Sequence, residues 1–175
     1  MGFEEFVNNQ NEIAKAQKEF NRELVIDTFR EKVSSLYAEI ETWLKSYIEN
    51  GKMHIEKKKI TITEEKLGEY EMDTRVIHIG QSVVVLEPHG TRLIGTNARV
   101  DIKTYGITYA YFVRAGEKVN RISQMISITI GDEKQPERDF GPEVWKIVLA
   151  KDRKTLIPMT QESFEQTLID VISNG

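Results

Sequence analysis

Residues 43 to 62 read WLKSYIENGKMHIEKKKITI, and the spacing of apolar residues changes within this stretch at Asn50-Gly51. Before that pair, apolar residues recur at the three- and four-residue intervals of a helix, and after it they alternate with polar ones as in a strand. The pair itself suits a helix end, because glycine readily adopts the left-handed backbone conformation found there. The stretch therefore predicts an α+β protein whose helical part precedes its sheet.

A regular helical stripe leads up to this point. Its members follow a 3-4-3-4-3-4 spacing and are Ile26, Phe29, Val33, Leu36, Ile40, Trp43 and Tyr47. Further apolar residues that favour helix upstream are Phe3, Phe6, Ile13 and Phe20, with the polar run of residues 8–11 as a candidate break. Bulky aromatic residues suit a coiled-coil seam poorly, so we expect the stripe to pack on the protein's own sheet. The alternative is a homodimer, or a partner contact, through the helix of residues 26–47.

Beyond Gly51 the segments are short, rich in β-branched residues and separated by turn formers, which is the pattern of half-buried strands. The predicted strands are 53–63, 70–79, 82–87, 92–104, 107–114, 121–130, 143–150 and 154–158. Their links are mostly too short for crossover helices, so neighbouring strands should be antiparallel. A last helix is expected after Thr160, a suitable N-cap. Its buried face would consist of Phe164, Leu168, Val171 and Ile172.

These segments predict one α+β domain. It should contain a long N-terminal helix, an antiparallel meander or half-barrel of about seven or eight strands, and a short C-terminal helix. Residues 1–50 would form the helical segment, packed on the sheet or on a partner, and residues 51–175 the β body with the C-terminal helix. A chain of 175 residues is long enough for one complete hydrophobic core and short for two.

Composition argues against several classes of function. The chain has no cysteine, which removes disulfides, thiolate metal sites and cysteine nucleophiles, and which favours a cytoplasmic location. No apolar run approaches the roughly 20 residues that a membrane-spanning helix needs. Residues 1–50 carry ten acids against six bases, and the remainder is balanced at 18 of each. Neither part has the basic excess that is typical of nucleic-acid binding.

One weak catalytic pattern is present. Asp101-Ile102-Lys103 matches an acid-x-lysine step on a strand, and Glu87 could supply a first acid. Such sites use two carboxylates to hold a divalent cation and a lysine to steer the attacking water. The expected Pro-Asp is absent, so a metal-dependent, nuclease-like hydrolase is kept as the alternative function. The three histidines, His54, His78 and His89, show no paired ligand spacing, and we expect no metal or cofactor. His78 should be a hydrogen-bonded histidine of the sheet.

The cleanest alternation in the β body places a polar row on one face of a strand. The row consists of Arg99, Asp101, Lys103 and Tyr105, and it should either form cross-strand ion pairs or bind a partner. Three more candidate partner-binding residues are His89 and Arg92, in the turn of residues 87–92, and Phe140, in the polar loop of residues 131–142. A third alternative is a ligand-binding half-barrel lined by Tyr105, Tyr109, Tyr111 and Phe112.

The sequence thus predicts a protein-binding module, and it favours a non-enzyme over an enzyme. Its cysteine-free, mildly acidic composition and the lack of a strong catalytic set favour this interpretation. The style of the composition suggests an accessory, immunity or inhibitor protein of bacterial or phage origin. The expected partner is a protein.

Overall fold

The computed structural model describes residues 1–91, 98–124 and 139–175. Helix α1 spans Phe3–Glu49 and helix α2 spans Gln161–Asn174. The strands between them are β1 Met53–Glu64, β2 Gly68–Ile79, β3 Ser82–Gly90, β4 Arg99–Thr104, β5 Ile107–Gly116, β6 Glu143–Leu149 and β7 Asp152–Pro158. The predicted α+β class, with its long first helix, antiparallel sheet and short last helix, is confirmed.

The seven strands form one antiparallel meander, because each strand pairs with its neighbour in sequence. The β1–β2 ladder runs unbroken from Met53 opposite Ile79 to Glu64 opposite Gly68. In contrast, β2 pairs with β3 only over Arg75–Ile79. The outer half of the β1–β2 hairpin therefore has no ladder with β3, and side chains hold it: Glu64 at its end accepts from the amide and the hydroxyl of Thr91, just after β3, and α1 contacts it as well. Arg22 donates to the carbonyls of Leu67 and Glu69 at this point.

The second half of α1 and the whole of α2 cover one face of the sheet. Buried residues of the predicted stripe are Ile26, Phe29, Val33, Leu36 and Ile40, and they share one core cluster with Phe112 and Ile147 of the sheet. Phe164 of α2 joins this cluster, with its ring centroid 5.9 Å from that of Trp43. The stripe thus packs on the protein's own sheet. Five of its seven members are therefore covered by the chain itself, whereas Tyr47 is 43% exposed, so a homodimer through residues 26–47 could use only the uncovered end of the stripe.

A second, smaller cluster lies on the opposite face of the sheet. Tyr111 and Val113 point into it, while their neighbours Ala110 and Phe112 point into the main core. Its other buried members are Ala115, Val119, Val148 and Leu156, with Ile122 and Phe140 packed against them. The described ends of the connection after β5, residues 117–124 and 139–142, therefore cover the outer face of the sheet at its β5–β7 end.

Two sequence predictions need correction, and a third can be compared with the structure only in part. The expected helix break at residues 8–11 is absent, because α1 is continuous and asparagine costs only a few tenths of a kcal/mol within a helix. The expected strand 121–130 is not formed where it is described: Ile122–Gln124 is a single 3₁₀ turn, and the Gln124 side chain accepts from the amides of residues 120 and 121. The strand predicted at 92–104 is described from Arg99 onward. Residues 92–97 and 125–130 lie outside the described residues.

The end of α1 and the start of α2 lie where the sequence predicts them. α1 ends at Asn50-Gly51, where Gly51 has a φ of +68°. At the start of α2, the Thr160 hydroxyl accepts from the amide of Ser163 at 3.0 Å, and the Ser163 hydroxyl accepts from the amide of Thr160 at 2.8 Å. This reciprocal cap satisfies two amides that the helix itself leaves free.

Tyr37 should make the protein sensitive to alkali. Its side chain is 2% exposed, and its hydroxyl donates to the carbonyls of Asp73 (2.9 Å) and Leu86 (3.2 Å). Burial raises the pKa of Tyr37 well above its usual value. Because the unfolded chain ionises first, this contribution to stability is complete below about pH 10 and is lost as the pH rises toward the folded pKa. We expect a loss of about 1.4 kcal/mol per pH unit in that window.

The comparison of wild type with Tyr37→Phe by urea denaturation between pH 8 and pH 11 isolates this effect. The variant should be less stable by about 1 kcal/mol at pH 8, since it loses the hydroxyl's hydrogen bonds. The gap should then narrow as the pH rises above 10. A constant gap would contradict a buried, neutral Tyr37.

Candidate functional site

The predicted polar row lies on the sheet face opposite the helices and is paired within the chain. Register places Glu87 of β3 directly beside Asp101 of β4. The Lys103 Nζ lies 2.6 Å from Glu87 Oε2, and the Arg99 Nε lies 2.5 Å from Asp101 Oδ1. The structure thus brings four of the predicted site residues together on one face. We call them the paired row: Glu87, Arg99, Asp101 and Lys103.

Asp101 is the most enclosed member of the paired row, at 4% exposed. Besides Arg99, its carboxylate has His89 Nδ1 at 3.5 Å and accepts from Thr108 Oγ1 at 3.5 Å. The Arg99 guanidinium is also held from the other side, because it stacks over the ring of Tyr111 at 4.1 Å from the centroid. Buried charge is tolerated only where it is paired. This geometry indicates that Asp101 fixes the position of Arg99.

A small cavity opens beside the paired row. Its volume is about 230 Å³, and its lining includes Glu87, His89, Asp101 and Lys103, with residues 60–63 of β1 as a further wall. Across the ranges that the structure describes, no three His, Asp or Glu side chains converge as metal ligands. The predicted catalytic set of Glu87, Asp101 and Lys103 does share one face, but each carboxylate already contacts a cation of this chain. Carboxylates that are already paired with cations of the same chain differ from the open oxygen ligands of a divalent-cation site.

The remaining predicted residues do not join the paired row. Tyr105 is 77% exposed at the tip of the β4–β5 hairpin, where both Tyr105 (φ +50°) and Gly106 (φ +76°) adopt the left-handed conformation of a two-residue turn. Phe140 is half-buried in the second cluster and lies against Gly116, which has no side chain to obstruct it. Arg92 lies outside the described residues. The half-barrel alternative is wrong in one respect: Phe112 and Tyr111 face opposite sides of the sheet, so the four aromatics do not line one cavity.

One pairing escaped the sequence analysis. His54 and His78 face each other across β1 and β2, with ring centroids 5.6 Å apart. His78 Nε2 lies 3.2 Å from Glu56 Oε2, which confirms the predicted hydrogen-bonded sheet histidine. A hairpin centred on residue 66 sets the two histidines opposite each other, so the turn position was the signal that could have revealed them.

An extended exposed apolar surface lies on the first half of α1. Residues 3–21, which we call the projecting segment, are exposed along their whole length. Large apolar side chains on this part of the helix are Phe3, Phe6, Ile13, Phe20 and Leu24, and all five are exposed. We call these five residues the free stripe. At about 100° per residue, Leu24 and Ile26 are separated by about 200° around the helix, so the free stripe points away from the sheet.

The free stripe has the spacing of a helix-pairing seam. Phe6, Ile13 and Phe20 are seven residues apart, and so are Phe3, Gln10, Gln17 and Leu24. Positions that flank this seam on the projecting segment are uncharged: Val7, Asn9, Ala14, Ala16 and Asn21. The charged residues of the same segment, from Glu4 to Glu19, lie on the other side of the helix. The seam is therefore a continuous uncharged face and not a set of scattered apolar residues.

Comparison with known proteins supplies no relative. No protein-family model, curated protein or solved structure matches this chain. Within the described ranges, neither helix has a stretch apolar enough to cross a bilayer. Two surfaces therefore stand as functional candidates, the paired row and the free stripe. The free stripe is the stronger, because its apolar side chains have no counterpart within the described chain.

Proposed function

We propose that this chain is a non-enzymatic protein-binding module and that the projecting segment of α1 is its binding element. The exposure of the free stripe supports this proposal. Each large apolar side chain left in water forgoes roughly 25 cal/mol per Å² of burial. Contiguous exposed apolar surface commonly marks a protein contact site. The segment is also long, at about 28 Å for residues 3–21, which is enough to form a helix-to-helix contact.

The rest of the molecule fits the role of a platform for this helix. The sheet buries the second half of α1, and Arg22 and Arg30 fasten the helix to the β1–β2 hairpin. A secondary partner surface is proposed around the paired row, where Lys103 of the row, the neighbouring His89 and Tyr105 at the hairpin tip are the accessible side chains. A cytoplasmic accessory, immunity or inhibitor protein of a bacterium or phage is the setting we propose. The absence of cysteine supports a reducing compartment.

Photo-crosslinking tests the proposed binding element in the cells from which the chain comes. A photoreactive residue at Ile13 or Phe20 should yield a discrete protein adduct, because both side chains lie on the free stripe. The same residue at Lys15 or Lys18, on the charged side of the helix, serves as the matched control and should yield little. Equal adduct formation at all four positions, or none at any, would remove the free stripe as the binding element.

The hydrolase alternative makes a different prediction for divalent cations. The carboxylates of Glu87 and Asp101 are occupied by Lys103 and Arg99, so Mg²⁺ or Mn²⁺ should not raise the melting temperature. A cation that binds the folded state at 100 times its Kd would add about 2.7 kcal/mol, or at least about 5 °C for a chain of this size. A saturable shift of that size, lost in Asp101→Asn, would favour the hydrolase.

A further inference from the structure

We infer that a cavity between α1 and the β1–β2 hairpin binds a small aliphatic α-amino acid. We call it the α1–β2 cavity. Its volume is about 280 Å³, and it shares no lining residue with the free stripe or the paired row. The inference is therefore independent of the proposed function. Three parts of the lining support it: a buried guanidinium, a carboxylate without a cation of its own, and an apolar wall.

The α1–β2 cavity lies where β3 no longer pairs with β2. Continued register would pair Asp73 with Pro88, but proline has no N–H to donate to the Asp73 carbonyl. The Tyr37 hydroxyl donates to that carbonyl instead, at 2.9 Å. About two turns earlier in α1, Arg30 Nη2 donates to the Glu71 carbonyl at 3.0 Å. These two hydrogen bonds hold the helix against the strand, so the cavity between them is preformed.

Arg75 provides the anion-binding part of the lining. It is 8% exposed, and its position is fixed because Nε donates to Glu41 at 2.8 Å and its Cζ lies 4.4 Å from the centroid of the Tyr37 ring. Nη1 donates to the Thr74 carbonyl, whereas Nη2 has no acceptor among the described residues. A fixed guanidinium with unused N–H groups is preorganised to bind a carboxylate.

Asp73 provides the opposite charge in the same cavity. It lies two residues before Arg75 on β2, so both side chains project from one face of the strand, roughly 7 Å apart at their Cα atoms. Lys59 is directly opposite Asp73 in the ladder, yet its Nζ lies near Glu71, at 4.0 Å. Asp73 forms no ion pair within the described ranges. A carboxylate in this state favours a ligand that carries an ammonium group.

The apolar wall completes the match to an amino acid. Val33 and Met72 belong to the lining, and the volume is near the lower end of the roughly 300–1,000 Å³ of ligand pockets. A short aliphatic side chain suits such a wall. A purely anionic ligand would be opposed by Asp73, and a purely cationic one would be opposed by Arg75. A zwitterion satisfies both charges at once.

Isothermal titration calorimetry of the full chain tests the ligand class. The probes are L-valine and L-leucine, each compared with the matching carboxylate that lacks the amino group and the matching amine that lacks the carboxylate. At least one amino acid should bind saturably, and at least about tenfold more tightly than either of its analogues, because each analogue leaves one charge of the cavity unmatched.

Three results of this titration would overturn the inference. If neither amino acid binds saturably, the cavity is not an amino-acid site. A carboxylate analogue that binds as tightly as its amino acid would indicate a simple anion site. An amine analogue of equal affinity would indicate a simple cation site.

Two phenylalanine substitutions test the location of binding. Ser34 lines the cavity, and its neighbour Ser35 does not, although both are exposed on α1. Ser34→Phe should abolish binding by filling the cavity, and the matched control Ser35→Phe should keep the affinity within about threefold of wild type. Circular dichroism shows that both variants retain α1. Equal binding by the two variants, or loss of binding in both, would overturn the assignment to this cavity.

Asp73→Asn tests the role of the carboxylate. The side chain is exposed, so the variant should fold normally. Its affinity for the amino acid should fall at least about tenfold, while the carboxylate analogue should bind no more weakly than it does to wild type. Unchanged affinity for the amino acid would show that Asp73 does not contact the ammonium group, which would overturn the zwitterion assignment.

Discussion

Phe29→Ala is expected to lower the free energy of unfolding by about 3–5 kcal/mol, whereas Phe20→Ala should change that of the monomer by less than about 0.5 kcal/mol. The two residues lie in the same helix, nine positions apart. Phe29 is 2% exposed and packs in the main core, while Phe20 is 63% exposed on the free stripe. Truncation of a buried phenylalanine loses both burial and packing, and truncation of an exposed one loses little.

Urea denaturation followed by tryptophan fluorescence measures both values, at a concentration low enough to keep the chain monomeric. Trp43 packs against the main core and Trp145 is buried in it, so the signal reports the body of the protein. A loss of more than about 2 kcal/mol in Phe20→Ala would mean that the projecting segment packs on its own body. That result would remove the structural basis of the proposed function.

Arg99→Glu is the second substitution with a large expected effect. It would replace the cation that contacts Asp101 with an anion, and Asp101 is too enclosed for water to solvate its charge. Removing one partner from a buried ion pair costs about 3–5 kcal/mol, and we expect a loss in that range. The stacking of Arg99 on Tyr111 would be lost as well.

The matched control for Arg99→Glu is Lys154→Glu, the same reversal of charge at an exposed position on β7, which should stay within about 0.5 kcal/mol of wild type. Arg99→Gln should fall between the two, because it removes the cation without adding a second anion. A fully stable Arg99→Glu would show that the paired row is free to serve a partner and does not stabilise the sheet.

The fold was largely predictable because its local signals agree. Three local patterns each predict the element that is found: the stripe of α1 before Asn50-Gly51, the short turn-bounded strands and the Thr160 cap. The error at residues 8–11 arose because polar residues were taken as a break, although helix propensity sums over many positions and single asparagines cost little. The strand expected at 121–130 is absent over the described residues 121–124, where the Gln124 side chain competes for backbone amides.

The candidate site was less predictable, since alternation shows which side of a strand a residue faces but not what covers that side. The row of Arg99, Asp101 and Lys103 was expected on one face, and it is there. The burial of Asp101 depends on neighbouring strands and could not be read from β4 alone. The free stripe was missed for a related reason. Gln10 and Gln17 interrupt its apolar pattern. In addition, Leu24 and Ile26 lie on nearly opposite sides of the helix, which separates the free stripe from the stripe that packs on the sheet.

Amide hydrogen exchange along α1 tests the central claim most directly. The projecting segment is exposed along its whole length, so its amides should exchange faster than those of residues 29–44, which pack on the sheet. The variant Ile13→Gln with Phe20→Gln should keep the protection of residues 29–44, because neither side chain belongs to the core. Protection of the projecting segment equal to that of residues 29–44 in the purified wild-type chain would contradict a free stripe that is open to a partner.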